Sequence, residues 1–258
     1  MNLLKSEFRK LVYARSTYGL LLASIALASL SAGVSPYVLN RVKSMGFGGL
    51  SQPAIIDTVY GKAASAYLFA IILGVIMMAG EFRQGTAVAT YLAAPKRSHV
   101  FLAKVAIAAI AGAIFQLVSA TLGMITARIA LSFYPEAAAP NDTAVLDTLL
   151  AALISGAVLA VVGVAVGALL RSQIIGIVAV MIWLNLIEPI MLLVFPDGGK
   201  WWATGAISGM LNLHVSSSRF NQTTENYLEP WQASLLLLGY GAAFAAIALF
   251  TTMRRDVD

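Results

Sequence analysis

The sequence predicts an all-α membrane protein with a single transmembrane domain over residues 1–258. Hydrophobic residues make up 59% of the chain and charged residues only 11%, whereas soluble domains have about 45–50% apolar and about 25% charged residues. Six long apolar windows are continuous rather than alternating in polarity, which indicates spanning helices and not barrel strands. A basic, amphipathic segment precedes the first window. We therefore expect six transmembrane helices and an interfacial helix at the N-terminus.

The segment 1–16 predicts an amphipathic elbow helix that lies along the membrane surface. Leu4, Phe8, Leu11 and Val12 follow the spacing i, i+4, i+7 and i+8, so they form an apolar stripe on a basic helix. A buried helix of the soluble type is the alternative, and the adjacent apolar window favours the surface position. That window has no charge for 25 residues, longer than the apolar core of about 7–15 residues in a cleavable signal. The first window is therefore predicted to be a retained span.

Six segments are long enough to cross a bilayer, which requires about 20 predominantly apolar residues. They lie near residues 18–35, 63–80, 104–127, 147–170, 173–195 and 231–252. The segment 196–230, between the last two, is too long for a simple turn. Its stretch WWATGAISGMLNL is apolar but too short to span, which leaves two interpretations: a re-entrant or interfacial helix on the outer side, or a plain surface loop.

The distribution of basic residues predicts the orientation of the spans, because these residues favour the cytoplasmic side. With both termini in the cytoplasm, the inner segments hold 11 basic and four acidic residues. The outer segments then hold six basic and eight acidic residues. This division gives +7 inside and −2 outside, which together make the formal net charge of +5. The predicted topology is N-in and C-in.

The predicted cytoplasmic loop 81–99 gathers charge and helix-breaking residues between two apolar spans. Thr86 can cap a short helix on which Val88, Tyr91 and Leu92 fall on one face. A positive-inside anchor would explain the basic residues of the loop, but not its Gly-Thr start, its apolar face or the proline that ends it. A docking element for a cytoplasmic protein explains all of these. The other residues assigned to this element are Glu81, Arg83, Gly85, Pro95 and Arg97.

Three polar side chains within the predicted spans are candidates for a substrate path or for helix packing. Glu188 is the only acid well inside an apolar window, with Asn185 about one turn before it. An intramembrane ionisable residue is a functional hypothesis by default. The alternative places Glu188 near the outer end of the fifth helix, since it follows Arg171 by 17 residues, or ~25 Å of helix. Gln116, in the third span, is more typical of a helix–helix hydrogen bond than of a substrate contact.

The fourth span carries a stripe of small residues, Gly156, Ala160, Gly163 and Gly167, on one helix face. Small residues let helix backbones approach closely in lipid. The stripe predicts close packing, either within one protomer or at a seam between two copies. Gly163 and Gly167 are also candidates for a substrate path.

No catalytic or cofactor-binding pattern is present in the sequence. The chain has no cysteine, its two histidines lie far apart, and neither Gly-Lys pair has the flanking residues of a phosphate-binding loop. We therefore predict that the chain is not an enzyme and holds no cofactor or metal of its own. Its basic residues are spread around the spans rather than clustered on a soluble face, so nucleic acid is not a predicted partner.

The motif GEFRQGT, a short amphipathic helix and then APKRSHVFLAK resemble the membrane subunits of type-2 ABC (ATP-binding cassette) exporters. In that family a Glu and a Gly-Thr pair follow the second span, and a Pro, an Arg and a Lys lead into the third. The layout of a basic N-terminal helix, six spans and an elaborated last outer loop extends the resemblance over nearly the whole chain. No part of the family's ATPase domain is present, as in bacterial half-transporters with a separate ATPase. The matching residues are Glu81, Gly85, Thr86, Leu92, Pro95, Arg97 and Lys104.

The resemblance implies a homo- or heterodimer of six-helix permeases in the bacterial inner membrane. It also implies two ATPase subunits, which bind ATP and Mg²⁺ and dock against the segment 81–95. Glu81 and Arg83 would then transmit force to the second span, while the apolar face of the loop helix packs on the ATPase. The expected cargo is hydrophobic or amphipathic and is exported. The alternatives are an ATP-independent secondary transporter, which would depend on Glu188, and a membrane-embedded enzyme.

Overall fold

The computed structural model describes residues 3–42, 49–85, 97–141, 143–211 and 227–248. Within these ranges the backbone is almost entirely helical and contains no strand, which confirms the predicted all-α class. The α-helices described are α1 (Leu3–Tyr13), α2 (Arg15–Val42), α3 (Pro53–Gly61), α4 (Tyr67–Arg83), α5 (Arg97–Leu131), α6 (Ala144–Leu170), α7 (Gln173–Ile182), α8 (Glu188–Val194), α9 (Ala203–Met210) and α10 (Pro230–Ile247).

Six helical segments in the described part of the chain are long and apolar enough to cross a membrane, as predicted. Large apolar side chains cover their outward faces. Leu22, Leu186 and Leu235, for example, are 55–68% exposed, which suits contact with lipid rather than water. The six segments are Arg15–Arg41, Pro53–Arg83, His99–Leu131, Ala144–Leu170, Gln173–Val194 and Pro230–Ala248.

The second segment begins at Pro53, ten residues before the predicted start at residue 63. Proline is favoured at the first position of a helix, and Lys62, which marked the start in the prediction, does not interrupt the helical backbone. The residues Lys62–Ala66 form a 3-10 turn between α3 and α4. Gln116 of α5 donates from Nε2 to the carbonyl oxygen of Ala64 at 2.7 Å and is almost fully buried. Gln116 therefore makes a helix–helix hydrogen bond to this turn.

The central helix is α6, which packs against α4, α5 and α10, while α5 also packs against α2. The stripe of small residues on α6 makes these contacts close. A Cβ atom added to Gly156 would lie 2.2 Å from the carbonyl oxygen of Gly112 on α5. A Cβ atom added to Gly163 would lie 2.1 Å from the carbonyl oxygen of Ile71 on α4. A Cβ atom added to Gly167 would lie 2.9 Å from the carbonyl oxygen of Val75 on the same helix. The stripe thus packs against helices of the same chain.

We expect the substitution Gly163→Ala to destabilise the bundle, because the added methyl group meets the backbone of α4. Overpacking of this kind typically costs about 1–3 kcal/mol. Gly239→Ala in α10 is the matched control, since a Cβ there meets no atom within 4 Å. Thermal unfolding in mild detergent should show a lower melting temperature for Gly163→Ala and no loss for Gly239→Ala. Equal melting temperatures would show that the α4–α6 contact has more room than the structure gives it.

The fifth segment is interrupted in its middle by a π-helical turn, Trp183–Ile187, between α7 and α8. Pro189 follows this turn, and proline has no N–H to donate to the carbonyl four residues before it, that of Asn185. The Asn185 side chain is exposed on the bundle surface and donates from Nδ2 to the carbonyl oxygen of Met181 at 3.0 Å. Asn185 therefore lies on the outside of the bundle, hydrogen-bonded to its own helix.

The segment 196–230, predicted as a re-entrant helix or a surface loop, contains a 3-10 turn, Pro196–Trp201, and then α9. The α9 helix packs against α10, and its side chains Ile207 and Met210 are buried. This part of the segment is therefore a packed helix and not a surface loop.

Candidate functional site

The residues predicted to contact a cytoplasmic partner begin at the end of α4. Glu81 and Arg83 lie in the last turn of this helix, and Gly85 follows it with a φ of 66°. Residues other than glycine rarely adopt this left-handed conformation, so Gly85 is suited to the end of α4. Arg97 is the first residue of α5. The remaining predicted residues, Thr86, Val88, Tyr91, Leu92 and Pro95, lie outside the described residues.

Four charged side chains from three helices meet at this end of the bundle, and we call them the four-charge cluster: Glu7 and Lys10 of α1, Glu81 of α4 and Lys104 of α5. The Lys10 Nζ atom lies 2.8 Å from Glu7 Oε1 and 2.5 Å from Glu81 Oε1. The Lys104 Nζ atom lies 2.5 Å from Glu7 Oε2 and 2.8 Å from Glu81 Oε1. Each ammonium group thus bridges both carboxylates, and the cluster joins α1 to the ends of two spans.

The four-charge cluster is largely removed from solvent. The side chains of Lys104, Glu7 and Glu81 are only 1%, 3% and 9% exposed, while that of Lys10 is 45% exposed. A buried charge is costly unless it is paired and hydrogen-bonded. Here two negative and two positive groups balance, and Lys104 also donates to the carbonyl oxygen of Met77 at 3.4 Å. Separating α1 from the bundle would leave Lys104 without one of its two carboxylates.

The α1 helix faces the bundle with its charged side. Glu7 is buried there, whereas the apolar side chains Leu4 and Phe8 are about half exposed, at 50% and 52%. Of the predicted apolar stripe, Leu4 and Phe8 therefore face outward, whereas Leu11 packs against the bundle. The sequence reasoning did not identify Glu7, Lys10 or the role of Lys104. The available signal was Glu7 itself, the only acidic residue in an otherwise basic segment, with Lys10 one turn away on the same face.

The two residues of α1 that belong to the four-charge cluster, Glu7 and Lys10, have pKa values shifted in opposite directions. Burial alone would raise the pKa of Glu7, but the charges and hydrogen bonds of Lys104 and Lys10 outweigh it, so this pKa is lowered from its ordinary 4.5. Burial alone would lower the pKa of Lys10, but its hydrogen bonds to Glu7 and Glu81 outweigh it, so this pKa is raised from its ordinary 10.5. Both shifts favour the charged forms that build the four-charge cluster.

We expect the contribution of Glu7 to stability to be present above pH 4.5 and to be lost as the pH falls through its lower, folded pKa. The contribution of Lys10 should be present below pH 10.5 and be lost as the pH rises through its higher, folded pKa. Melting temperatures of the wild type and of Glu7→Gln, measured across this range, provide the test. The difference between them should be largest near neutral pH and shrink in acid. A difference that stays constant into strong acid would contradict an ionised Glu7.

The end of α4 also contacts the junction between α6 and α7. The guanidinium carbon of Arg171 lies 5.5 Å from the ring centroid of Phe82, a cation–π distance. Arg83 donates from Nη1 to Oε1 of Gln173 at 3.1 Å. Arg171 itself has a positive φ of 52°, which is unusual for a residue other than glycine. A cavity of about 440 Å³ opens beside the four-charge cluster, between α1, α2, α4 and α5.

Glu188, the predicted intramembrane acid, is fully buried at the start of α8. Its carboxylate accepts hydrogen bonds from Trp183 Nε1 at 2.5 Å, from the backbone N–H of Ala203 at 3.1 Å and from that of Thr204 at 2.7 Å. The Thr204 hydroxyl group donates to it as well. Backbone N–H groups at the start of a helix have no partner within the helix, and an acidic side chain satisfies them and the helix dipole. Glu188 therefore caps α9 and ties it to the fifth segment.

This contact separates the two interpretations of Glu188. Glu188 lies in the last third of the fifth segment, six residues before Val194. Its side chain is nevertheless fully buried. Its carboxylate oxygens are occupied by donors of the chain itself. The arrangement is that of a structural cap, which supports helix packing more than a role in a substrate path.

Among the described residues, no group of three or more His, Cys, Asp or Glu side chains has the arrangement to hold a metal ion. No known protein-family model and no curated protein matches this chain. The fold and the contacts define the class of the part of the chain that the structure describes: a helical protein with six segments of transmembrane length and composition, in which charged side chains join α1 to two of them.

Proposed function

We propose that this chain is the membrane permease subunit of an ABC-type exporter, driven by ATP that a separate ATPase subunit hydrolyses. The observation that carries the proposal is the four-charge cluster, which links α1, α4 and α5 through Glu81, the first residue of the predicted loop. A partner that displaces this segment would move both adjoining spans and α1 together. Buried ion pairs with good geometry resist separation, because each charge left alone would have to be buried without a partner.

The proposed topology places both termini and the four-charge cluster in the cytoplasm of a bacterium, with the spans in the inner membrane. The excess of basic residues on that side supports this orientation. The ATPase would contact the apolar face of the predicted loop helix, formed by Val88, Tyr91 and Leu92. ATP and Mg²⁺ would bind to the ATPase and not to this chain. A second permease copy, identical or homologous, would complete the transport path.

The proposed cycle begins when two ATPase subunits close on ATP and displace the segment 81–95. Through Glu81 and Arg83, the end of α4 moves relative to the α6–α7 junction, which it touches at Arg171 and Gln173. The Arg83–Gln173 contact is exposed and therefore easily exchanged with water, in contrast to the buried ion pairs. The buried pairs would hold the moving unit together, while the exposed contact would break and reform. The large apolar fraction of the chain favours a hydrophobic or amphipathic cargo.

Replacing Glu81 by Ala is expected to impair ATP-driven transport or assembly with the ATPase, without preventing membrane insertion. The variant removes a carboxylate that both lysines of the four-charge cluster contact. Asp147→Ala is the matched control, because Asp147 is exposed in the first turn of α6. The measurement is cargo uptake into inverted vesicles that contain the permease and its ATPase, started with ATP. Unchanged transport by Glu81→Ala would contradict the proposed role of Glu81.

A further inference from the structure

The junction between α6 and α7 has an arginine at a position where glycine is the usual residue. Arg171 ends α6 with a φ of 52° and a ψ of 5°, and its backbone N–H donates to the carbonyl oxygen of Gly167 at 3.1 Å. Helices commonly end with glycine in this left-handed conformation, because a Cβ atom makes it sterically unfavourable. Residues strained in this way cluster at functional sites. The backbone of Arg171 therefore points to a use for its side chain.

The guanidinium group of Arg171 is held by an aromatic ring and not by an acid. Its carbon atom lies 5.5 Å from the ring centroid of Phe82, and its buried Nε atom has no hydrogen-bond partner. Arg83, the next residue after Phe82, donates to the neutral side chain of Gln173 at 3.1 Å. The two carboxylates of the four-charge cluster are bound to its lysines. Within the described part of the chain, both arginines at this junction thus lack an anionic partner.

The junction lies where three apolar helices have their ends. The α4 helix ends at Arg83, α6 ends at Leu170, and α7 begins at Gln173. Directly after the junction, Ile174 and Ile175 of α7 are 69% and 57% exposed. Large apolar side chains exposed on a spanning helix suit contact with the acyl chains of lipid. The two arginines therefore lie at the level where the acyl chains of a bilayer give way to its headgroups.

We propose that Arg171 and Arg83 bind the phosphate group of an anionic phospholipid of the cytoplasmic leaflet. A guanidinium group presents its N–H donors in a planar fork that matches the oxygens of a phosphate. The exposed isoleucines beside it would contact the acyl chains of the same lipid. An acidic side chain of a partner protein would supply the charge but would not explain the neighbouring apolar surface. The site rests on the predicted orientation of the spans and not on the proposed transport function.

Thermal unfolding of the full-length protein in mild detergent, titrated with phosphatidylglycerol, tests the site. A lipid that binds only the folded state raises the melting temperature as its concentration increases. Arg171→Gly removes the guanidinium group and introduces the residue that suits the backbone angle, so this variant should fold. Arg83→Gln is the second variant, and Arg128→Gln is the matched control, because Arg128 is exposed in the last turn of α5. Phosphatidylcholine, and inorganic phosphate at equal ionic strength, are the control ligands.

We expect phosphatidylglycerol to raise the melting temperatures of the wild type and of Arg128→Gln with the same midpoint, phosphatidylcholine to act more weakly, and inorganic phosphate to have no effect. Arg171→Gly and Arg83→Gln should each need about fivefold more phosphatidylglycerol, the effect of one arginine close to anionic lipid.

Equal midpoints for all four proteins would mean a general attraction between lipid and basic residues, and would overturn the proposal. A rise produced equally by inorganic phosphate would mean a site for free anions and would overturn it as well. The proposal would also fail if Arg171→Gly lost copurification of a protein partner while its lipid midpoint stayed that of the wild type.

Discussion

Replacing Lys104 by Met should destabilise the protein by about 3–5 kcal/mol, the usual cost of removing one partner from a buried ion pair. Lys104 is 1% exposed and contacts both carboxylates of the four-charge cluster. Its loss leaves Glu7 and Glu81 close to each other, with Lys10 as the remaining cation of the cluster. We expect α1 to be held less firmly, because it loses the Glu7–Lys104 pair and keeps the more exposed Lys10–Glu81 pair. Thermal unfolding and limited proteolysis after α1, both in mild detergent, measure the two effects.

Lys5→Met is the matched control for Lys104→Met, since Lys5 lies on the exposed side of α1. The control removes the same charge but no buried pair, so its melting temperature should stay close to that of the wild type. The double variant Glu7→Gln/Lys104→Met should lose less stability than the sum of the two single variants, because the two residues interact directly. Strict additivity would show that the Glu7–Lys104 pair contributes nothing.

The second large effect is expected for Glu188→Ala, which removes the acceptor shared by Trp183, Ala203 and Thr204. Each buried donor left without a partner costs about 1–3 kcal/mol. The loss falls on the contact between the fifth segment and α9, so α9 should open locally before the rest of the bundle unfolds. Hydrogen exchange at the amides of Ala203 and Thr204 should become faster. Asp147→Ala, with an exposed carboxylate, should leave these amides unchanged.

The variant Glu188→Gln separates the structural role of this residue from ion coupling. The amide keeps an oxygen acceptor of similar shape, so we expect ATP-driven transport to continue and to remain insensitive to ion gradients. Transport that follows an ion gradient and is lost in Glu188→Gln would instead favour the secondary-transporter alternative. Faster exchange at α9 in Glu188→Ala, with a smaller increase in Glu188→Gln because the amide keeps one of the two acceptor oxygens, would support the capping role.

The helical class and the number of spans could be predicted because both depend on local properties: the length and apolarity of each window. The second span was predicted to end near residue 80, whereas α4 continues to Arg83 and is followed by Gly85 in a left-handed conformation that suits glycine. The start of the second segment was predicted ten residues late, because Lys62 was treated as a boundary. A single lysine near a 3-10 turn does not end a helix when the turns on both sides are apolar.

The contacts that define the candidate site depend on residues far apart in sequence, and no local pattern determines which of them meet. Glu7 and Lys104 are separated by 97 positions, and Glu188 meets α9 because the turn Pro196–Trp201 brings α9 back against the bundle. For Glu188, the sequence raised the question of a buried acid correctly but could not supply its four donors. For the stripe at Gly163 and Gly167, spacing predicted close packing, and only the fold assigned α4 as the partner.

The most direct test of the proposed function is photo-crosslinking from the segment 81–95 in native membranes. A photoreactive amino acid at position 91, in place of Tyr91, is compared with one at position 133, in place of Phe133, which is 77% exposed beyond the opposite end of α5. We expect position 91 to crosslink to a separate P-loop ATPase, with a yield that changes when ATP is added, and position 133 not to do so. Crosslinks from position 91 that never contain an ATPase, in a permease that has inserted and folded, would contradict the account.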